Sequence, residues 1–354
     1  MIAIQISDFF ILKIRHDEKC FSVINIIIWI IGFIIYRLLI KLDTPIGSTV
    51  PSMIITICIS IIVNKIFIKR DFLIFLEEVN YCNQTYHINE EENIIMVSYK
   101  LKLNLLTFSS KLKCDFNIRI AGIPLSIACE GFVCADDDLE KLAKYLKSFP
   151  LILILNTDGK LPLAKADTLG TYSIELKGDF DLFLSLKSRY RRRLKMALAK
   201  VGYLKFNKLS RQDFQKEHYA LYEQVYERSE GRLEKLSIEY FRKMNAQMYE
   251  IRGKEGELSA FFQIKQIDKE LVFLFCGIDK ESNRKYDTYL NMLIYMVKLA
   301  YEKKCVKLHL GQTTGYSKSR LSAKKDKKYM HLASRIIPET VCKALLKLLG
   351  NKED

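Results

Sequence analysis

Residues 308–332 read LHLGQTTGYSKSRLSAKKDKKYMHL, and the first part of this stretch decides the fold class. An apolar run ends at Gly311, and Gln312, two threonines, a tyrosine and several cations follow directly. Ligands of α/β sheets commonly bind where strands end at their carboxyl edge. The stretch therefore predicts a buried strand that opens into a cleft for an anionic, activated carbonyl compound. The alternative is a polar turn that leads into an exposed basic hairpin.

The chain upstream of this stretch alternates strands and helices, as α/β and α+β proteins do. Amphipathic runs predict five helices, the last of them capped by Asp287: 135–149, 179–202, 211–229, 237–251 and 287–304. Two apolar runs that meet at Asp268 and Lys269 predict a β-hairpin. The order strand, strand, helix, strand occurs twice, over 114–157 and 257–311, which favours right-handed βαβ crossovers. We therefore expect two modules with mixed twisted sheets, over 93–177 and 178–345.

Residues 1–70 differ from the rest of the chain because they are rich in isoleucine. The run 21–40 has the length of a bilayer-spanning helix, and a shorter apolar run, 52–68, follows a break that contains Pro and Gly. The pair predicts a hydrophobic helical hairpin in the membrane, and two buried or surface-lying segments are the alternative. Basic residues flank both outer ends, so the hairpin would leave the larger part of the protein at the cytoplasmic face.

Composition and missing motifs exclude several classes of function. The formal net charge is +15, which favours anionic partners. Nine cysteines include no C-x-x-C pair, and with five histidines they predict no metal site. The signatures of α/β-hydrolases, P-loop NTPases, zinc proteases and dinucleotide-binding enzymes do not occur in the sequence.

Three stretches have the charge and polarity of binding sites. The predicted helix 179–202 carries Arg189 and Arg193, which can bind phosphate groups or form a solvated face. A charged connection between two helices carries Arg228 and Glu234, and surface salt bridges are the alternative use of these charges. The third is the segment after Gly311.

These stretches resemble the GNAT-fold acyltransferases, and among them the branch of Fem-type peptidoglycan aminoacyltransferases and related proteins with tandem GNAT modules. The resemblance covers about residues 93–340 and rests on four segments: SLKSRYRRRLKMALAKVG (185–202), LYEQVYERSEGRLEKLSIEYF (221–241), LVFLFCGIDKESNRKYDTYLNMLIYMVKLAYEKK (271–304) and KLHLGQTTGYSKSRLSA (307–323). Ser322 stands where the family pattern has Gly, and the [QR]-x-x-G-x-[GA] pantetheine loop is not visible.

The resemblance implies an enzyme that transfers an acyl, acetyl or aminoacyl group from an activated donor to an amine or hydroxyl of a small molecule or cell-envelope precursor. Acyl-CoA or aminoacyl-tRNA would be a co-substrate, with no tightly bound cofactor and no metal. The implied catalytic residues are Glu234 and Tyr316, and the implied donor-binding residues are Gln312, Thr313, Lys318 and Arg320. The implied substrate-binding residues are Arg189, Arg193, Arg228, Lys285 and Tyr289. An aminoacyl-tRNA-dependent transferase, or a non-catalytic GNAT fold that binds anionic lipid or nucleic acid, is the alternative.

Overall fold

The computed structural model describes most of the chain after residue 73 and one helix before it. The described residues are 23–39, 74–80, 82–89, 94–104, 115–124, 128–134, 136–185, 191–229 and 235–349. Two compact units, Met1–Glu78 and Val79–Asp354, divide the chain.

Helix α1, Val23–Leu39, is the described helix of the predicted hydrophobic hairpin. In the described part of the chain, no helix is both long and apolar enough to cross a membrane. The second run of the hairpin, 52–68, lies outside the described residues, so the hairpin stays a prediction.

The described residues of the second unit form a mixed sheet of twelve strands. The strands are β1 Thr85–Asn89, β2 Ile94–Asn104, β3 Asp115–Ala121, β4 Phe132–Val133, β5 Ile152–Thr157, β6 Lys165–Glu175, β7 Lys205–Leu209, β8 Gln247–Arg252, β9 Leu258–Ile267, β10 Glu270–Ile278, β11 Lys307–Gly311 and β12 Lys324–Ala333. Their order across the sheet is β1-β2-β3-β5-β12-β6-β11-β10-β9-β8-β7, with β4 beside β2.

Helices cover both faces of this sheet. They are α2 Leu139–Lys147, α3 Phe180–Ser185, α4 Arg191–Leu198, α5 Lys216–Arg228, α6 Ile238–Lys243, α7 Lys280–Tyr286, α8 Thr288–Glu302, α9 Gly315–Ser319 and α10 Glu339–Leu349. The predicted mixed α+β class is therefore confirmed.

Among the described strands, two pairs are parallel, β3 with β5 and β10 with β11. A helical crossover links the strands of each pair, α2 in the first and α7 followed by α8 in the second. The last strand, β12, lies between β5 and β6, so the end of the chain joins the two halves of the sheet. The predicted boundary between modules at 177/178 stays a prediction.

Helix α8 fills the core on one face of the second half of the sheet. Met292, Leu293 and Val297 of this helix are fully buried against strand residues such as Phe262 and Leu308. Each such side chain stabilises the fold by roughly 1.5–3 kcal/mol relative to an exposed position. On the opposite face, α5 and α6 cover an aromatic cluster that includes Phe214, Phe241 and Phe261. The core therefore packs against both faces of β9 and β10.

Most local predictions agree with the structure, and the exceptions have physical causes. The hairpin is confirmed, with β9 and β10 paired antiparallel up to Ile267 and Glu270. The single helix predicted over 237–251 is wrong after Lys243. From Gln247 onward the chain forms strand β8, because these residues pair with β9. This tertiary pairing outweighs the local helical pattern of the sequence. The basic run 179–202 contains α3 and α4, and residues 186–190 between them lie outside the described residues.

The side-chain capping bond predicted for Asp287 is absent, and the acidic residue before α2 forms none either. Asp138 precedes α2 but makes no side-chain capping bond; it instead pairs with Lys141 Nζ at 2.7 Å. Asp287 occupies the N-cap position of α8 in a left-handed conformation, and its side chain likewise caps no backbone N–H of the helix. The start of α8 was predictable to within one residue, whereas the role of the Asp287 side chain was not.

Candidate active site

The parallel strands β10 and β11 separate after three residue pairs. Their register runs Glu270↔Lys307, Leu271↔Leu308 and Val272↔His309. Beyond Val272, β10 continues to Ile278 paired only with β9 on its other side, within the described residues. A bulge at Phe273/Phe275 accompanies this change. The edge of β10 that faces β11 therefore presents backbone groups without a strand partner.

The end of β11 is shaped to leave space at this opening. Gly311 has a φ of 73°, which L-residues with a side chain rarely adopt. A Cβ atom built on Gly311 would meet nothing within 4 Å. The predicted strand that ends at Gly311 is thus confirmed, and it ends beside open space.

Lys318 lies between the strands on either side of β11. The residue belongs to α9, and it is only 1% exposed. Its Nζ atom is 5.7 Å from the centre of the Tyr172 ring on β6, and it interacts electrostatically with Cys276 on β10. Burial lowers the pKa of Lys318 to about 7. No carboxylate among the described residues pairs with this amine, so neutral and charged forms coexist near physiological pH.

The β10 side chain that interacts electrostatically with this amine is the Cys276 thiol. Burial raises the pKa of Cys276 to about 12, although the charges of Lys318 and Arg228 act in the opposite direction. The thiol is therefore protonated at neutral pH and is a poor nucleophile. Arg228 contacts the last residue of β10: its Nη2 atom donates to the carbonyl oxygen of Ile278 over 3.0 Å.

Tyr289 holds the turn before α9. Its hydroxyl is 2.5 Å from Thr314 Oγ1. Burial raises the pKa of Tyr289, with the nearby Cys276 adding to the effect, so the phenol keeps its proton at neutral pH. The structure thus brings together three of the predicted site residues, Lys318, Tyr289 and Arg228.

Other predicted residues of the post-strand segment face elsewhere. Gln312 donates through Nε2 to Asn156 Oδ1 at 2.8 Å and to the Leu169 carbonyl at 2.7 Å, which ties the segment to β5 and β6. Thr313 is exposed. Tyr316 is 75% exposed, and Arg320 stacks on it with Cζ 4.1 Å from the ring centre. These residues lie at the surface beside the opening.

The predicted substrate-binding cations Arg193 and Lys285 have other partners. Arg193 and Lys200 both pair with the buried carboxylate of Asp287, Lys200 at 2.9 Å. Burial acts to raise the pKa of Asp287, but hydrogen bonds from Lys200 and Arg193 hold it below its ordinary value. This cluster attaches α4 to the start of α8. Lys285 is exposed, with Nζ 4.8 Å from the centre of the Tyr286 ring.

Two predicted residues, Glu234 and Arg189, lie outside the described residues. Sequence reasoning missed Cys276 and Tyr172, which flank the buried amine. A cysteine beside a glycine in the Phe-rich run LVFLFCGI was the available signal for Cys276. Tyr172 reaches the site only because β6 pairs with β11, opposite Gly311. No local pattern in the sequence predicts that pairing.

The arrangement combines an open strand edge with a buried amine. An unpaired strand edge can bind an extended donor, and a buried amine with a pKa near 7 can accept or donate a proton. Among the described residues, no three His, Cys, Asp or Glu side chains converge as metal ligands.

Comparisons with known proteins found similar solved structures. The L-PGS structure from Bacillus licheniformis is 15% identical, with a TM-score of 0.46, and the match covers 80% of this chain and 97% of that chain. FemX is 12% identical, with a TM-score of 0.46, over 75% of this chain and 90% of that chain. A GCN5-related N-acetyltransferase from Kribbella flavida is 12% identical, with a TM-score of 0.37, over 74% and 92%. The names of these structures include the Fem-type and GCN5-related proteins that the sequence resembles. No family model and no curated protein matches the sequence.

Proposed function

We propose that the protein is an acyltransferase whose reaction takes place in the opening between β10 and β11. The observation that carries this proposal is the amine of Lys318, buried beside the separating strands with no carboxylate partner among the described residues. A buried cation without a partner is costly, so a purely structural role would favour an apolar residue at this position. A proton-transfer role accounts for the amine.

The donor binds along the free edge of β10. Residues 273–278 present alternate backbone N–H and C=O groups to the opening, because their other groups pair with β9. An extended donor arm that contains amide groups can pair with this edge as an added strand does. Backbone N–H groups there also polarise the acyl carbonyl.

Lys318 moves the proton during transfer. In its neutral form, Nζ accepts the proton of the attacking amine or hydroxyl while the new bond to the acyl carbon forms. When the bond to the leaving group breaks, the same proton passes to the leaving sulfur or oxygen. The acyl group has then moved from donor to acceptor, and Lys318 is neutral again. Tyr289 acts as a positioning residue through Thr314.

The donor is acyl-CoA or aminoacyl-tRNA, and the acceptor is an amine or hydroxyl of a small molecule or cell-envelope precursor. The basic chain, with a net charge of +15, suits the phosphates of either donor. The isoleucine-rich runs 21–40 and 52–68 support association with the cytoplasmic face of a membrane as part of this proposal.

A transfer assay with separate donor arms tests the proposal. Wild-type protein is incubated with radiolabelled acyl-CoA or aminoacyl-tRNA and a panel of amine, hydroxyl and envelope-precursor acceptors. We expect transfer with one donor class, and a loss of about 10²- to 10⁴-fold in Lys318→Met, the range for removal of a general base. Lys327→Met, which makes the same substitution at an exposed lysine of β12, is the matched control. Transfer at the wild-type rate by a folded Lys318→Met variant would refute the proposal.

A further inference from the structure

A second polar cluster lies in the other half of the sheet, on the face covered by α2. Arg119 of β3 donates from Nη1 to Ser98 Oγ over 3.0 Å, and Ser98 Oγ is 2.7 Å from His87 Nε2. His87 Nδ1 is 3.1 Å from Tyr145 Oη. Phe149 forms one wall, with Arg119 Cζ 5.8 Å from the ring centre. None of these residues belongs to the site between β10 and β11.

The cluster contains two positive charges that the described residues do not balance. Lys100 of β2 is directly opposite Arg119 in the antiparallel pair of β2 and β3, so both side chains lie on one face of the sheet. Like charges in directly opposite positions destabilise a sheet. In the described part of the chain, neither Lys100 nor Arg119 has a carboxylate partner. An anion between them would remove the repulsion.

Hydrogen-bond donors also exceed acceptors in this cluster. Arginine only donates, so Ser98 Oγ accepts from Arg119. In one tautomer of His87, Ser98 donates to Nε2 and Nδ1–H donates to Tyr145, which leaves the Tyr145 hydroxyl hydrogen over. In the other tautomer the two bonds reverse, and the Ser98 hydrogen is left over. One hydroxyl donor therefore has no acceptor within the described cluster in either case.

The charge of the cluster suits a dianion. Burial lowers the pKa of His87, and the positive charge of Arg119 adds to this effect, so the imidazole is neutral at pH 7. The net charge comes from Lys100 and Arg119. A phosphate monoester carries about −1.5 to −2 charges and three strong acceptor oxygens, whereas a carboxylate carries one charge and two oxygens.

We propose that Arg119, Lys100 and Tyr145 form a binding site for a phosphate monoester, separate from the acyl-transfer site. Ser98, which is fully buried, holds the Arg119 guanidinium in place, and His87 holds the Tyr145 hydroxyl. Arg119 and Tyr145 are half-buried and Lys100 is exposed, so the ligand approaches from solvent. The monoester is either a soluble metabolite or the headgroup of phosphatidic acid, since both present a phosphate group that is esterified once.

Binding to the full chain tests this site. Isothermal titration uses inorganic phosphate as the soluble probe, and vesicle sedimentation uses phosphatidylcholine with or without phosphatidic acid. We expect Arg119→Gln to weaken binding about 10- to 100-fold, as loss of a charge-assisted hydrogen bond does. Lys100→Gln should weaken it by a smaller factor. Lys208→Gln, which removes an exposed lysine on β7, is the matched control and should bind as the wild type does.

The two probes distinguish the sources of the phosphate. Binding to phosphatidic acid vesicles that is tighter than binding to free phosphate assigns the lipid headgroup, and the reverse assigns the soluble ester. Acetate that binds as tightly as phosphate would overturn the dianion site, and so would the absence of binding to both phosphate probes. If Arg119→Gln does not fold, Lys100→Gln decides, because its exposed side chain makes no described contact that the fold requires.

A second readout is independent of affinity. Bound phosphate should raise the pKa of His87, because an anion nearby stabilises the imidazolium form. NMR titration of the His87 ring with and without phosphate measures this change, and Lys208→Gln should show the same rise. An unchanged His87 titration in phosphate-saturated protein would place the anion elsewhere and overturn the assignment.

Discussion

The Tyr289 hydroxyl lies 2.5 Å from Thr314 Oγ1, and this hydrogen bond joins α8 to the turn that leads into α9. Thr314 has a φ of 60°, a left-handed conformation that is costly for a β-branched residue. Lys318 follows four residues later on α9. The bond therefore fixes the turn that sets the position of the buried amine relative to β10.

Tyr289→Phe should lower kcat/KM for acyl transfer about 3- to 30-fold while the protein stays folded. The substitution keeps the ring but removes a hydrogen bond worth about 0.5–1.5 kcal/mol in stability, so the main effect is a looser position of Lys318. Steady-state kinetics with the active donor measures the loss. Tyr203→Phe, at a position 47% exposed, is the matched control and should match the wild type. Equal kinetics for the two variants would contradict the positioning role.

The rate of transfer should rise with pH through about 7. The pKa of Lys318 is lowered to about 7 by burial, and the neutral amine is the form that accepts a proton, so activity increases as the ammonium loses its proton. A profile of kcat/KM between pH 5.5 and 9 measures this dependence. The rise should be absent from the residual activity of Lys318→Met. A wild-type profile that is flat across this range, or falls, would contradict the general-base role.

The same amine makes stability depend on pH. The pKa of Lys318 is about 7 in the folded chain against an ordinary value of 10.5, so between these values the unfolded chain binds more protons. Stability due to this group therefore rises with pH across that window. The full window corresponds to roughly 3–5 kcal/mol.

Urea unfolding of wild type and Lys318→Met at pH 7 and pH 9.5 isolates this contribution. The wild type should gain stability relative to the variant at the higher pH, because the other titrating groups cancel in the difference. A difference between the two proteins that stays constant with pH would show that the Lys318 amine is not desolvated in the folded chain.

Asp287→Asn should destabilise the fold by about 1–3 kcal/mol at pH 7, because the buried carboxylate pairs with both Arg193 and Lys200. The two cations are about one third exposed, which keeps the expected loss below that of a fully buried pair. Since the pairing lowers the pKa of Asp287, this stability is present above the ordinary carboxyl pKa and is lost as pH falls through the lowered value.

Chemical unfolding at pH 7 and at pH 3 measures this effect, and the difference between wild type and Asp287→Asn should shrink at the lower pH. Glu281→Gln breaks an exposed pair with Arg284 and should change stability by less than about 0.5 kcal/mol. An equally small change for Asp287→Asn would mean that the cluster does not fasten α4 to α8.

The strand before Gly311 and the hairpin at Asp268 were predictable because strong apolar runs meet turn residues there. Strand β12 was not predicted, since lysines fill its first half and only its last four residues are buried. Its position comes from pairing with β5 and β6, far away in the sequence. Local sequence patterns do not encode pairings between strands that are far apart in the sequence.

The candidate site, like the fold, was predictable only in part. Lys318 was predicted as a donor-binding cation, but its burial depends on Tyr172 and Cys276, which strand order brings beside it. Gln312 was predicted for the same role, yet both hydrogens of its amide are used by Asn156 and the Leu169 carbonyl. Residue type and spacing identify the segment, and only the sheet decides which of its side chains face the opening.

Amide hydrogen exchange of β10 tests donor binding between the separated strands most directly. Exchange is followed by mass spectrometry with and without the donor that supports transfer, in the absence of acceptor. We predict slower exchange of amides within residues 273–278, whose edge has no strand partner in the described sheet beyond Val272, and no change in β1–β3. Bound donor that leaves residues 273–278 unprotected, and protects another part of the sheet instead, would contradict the proposed site.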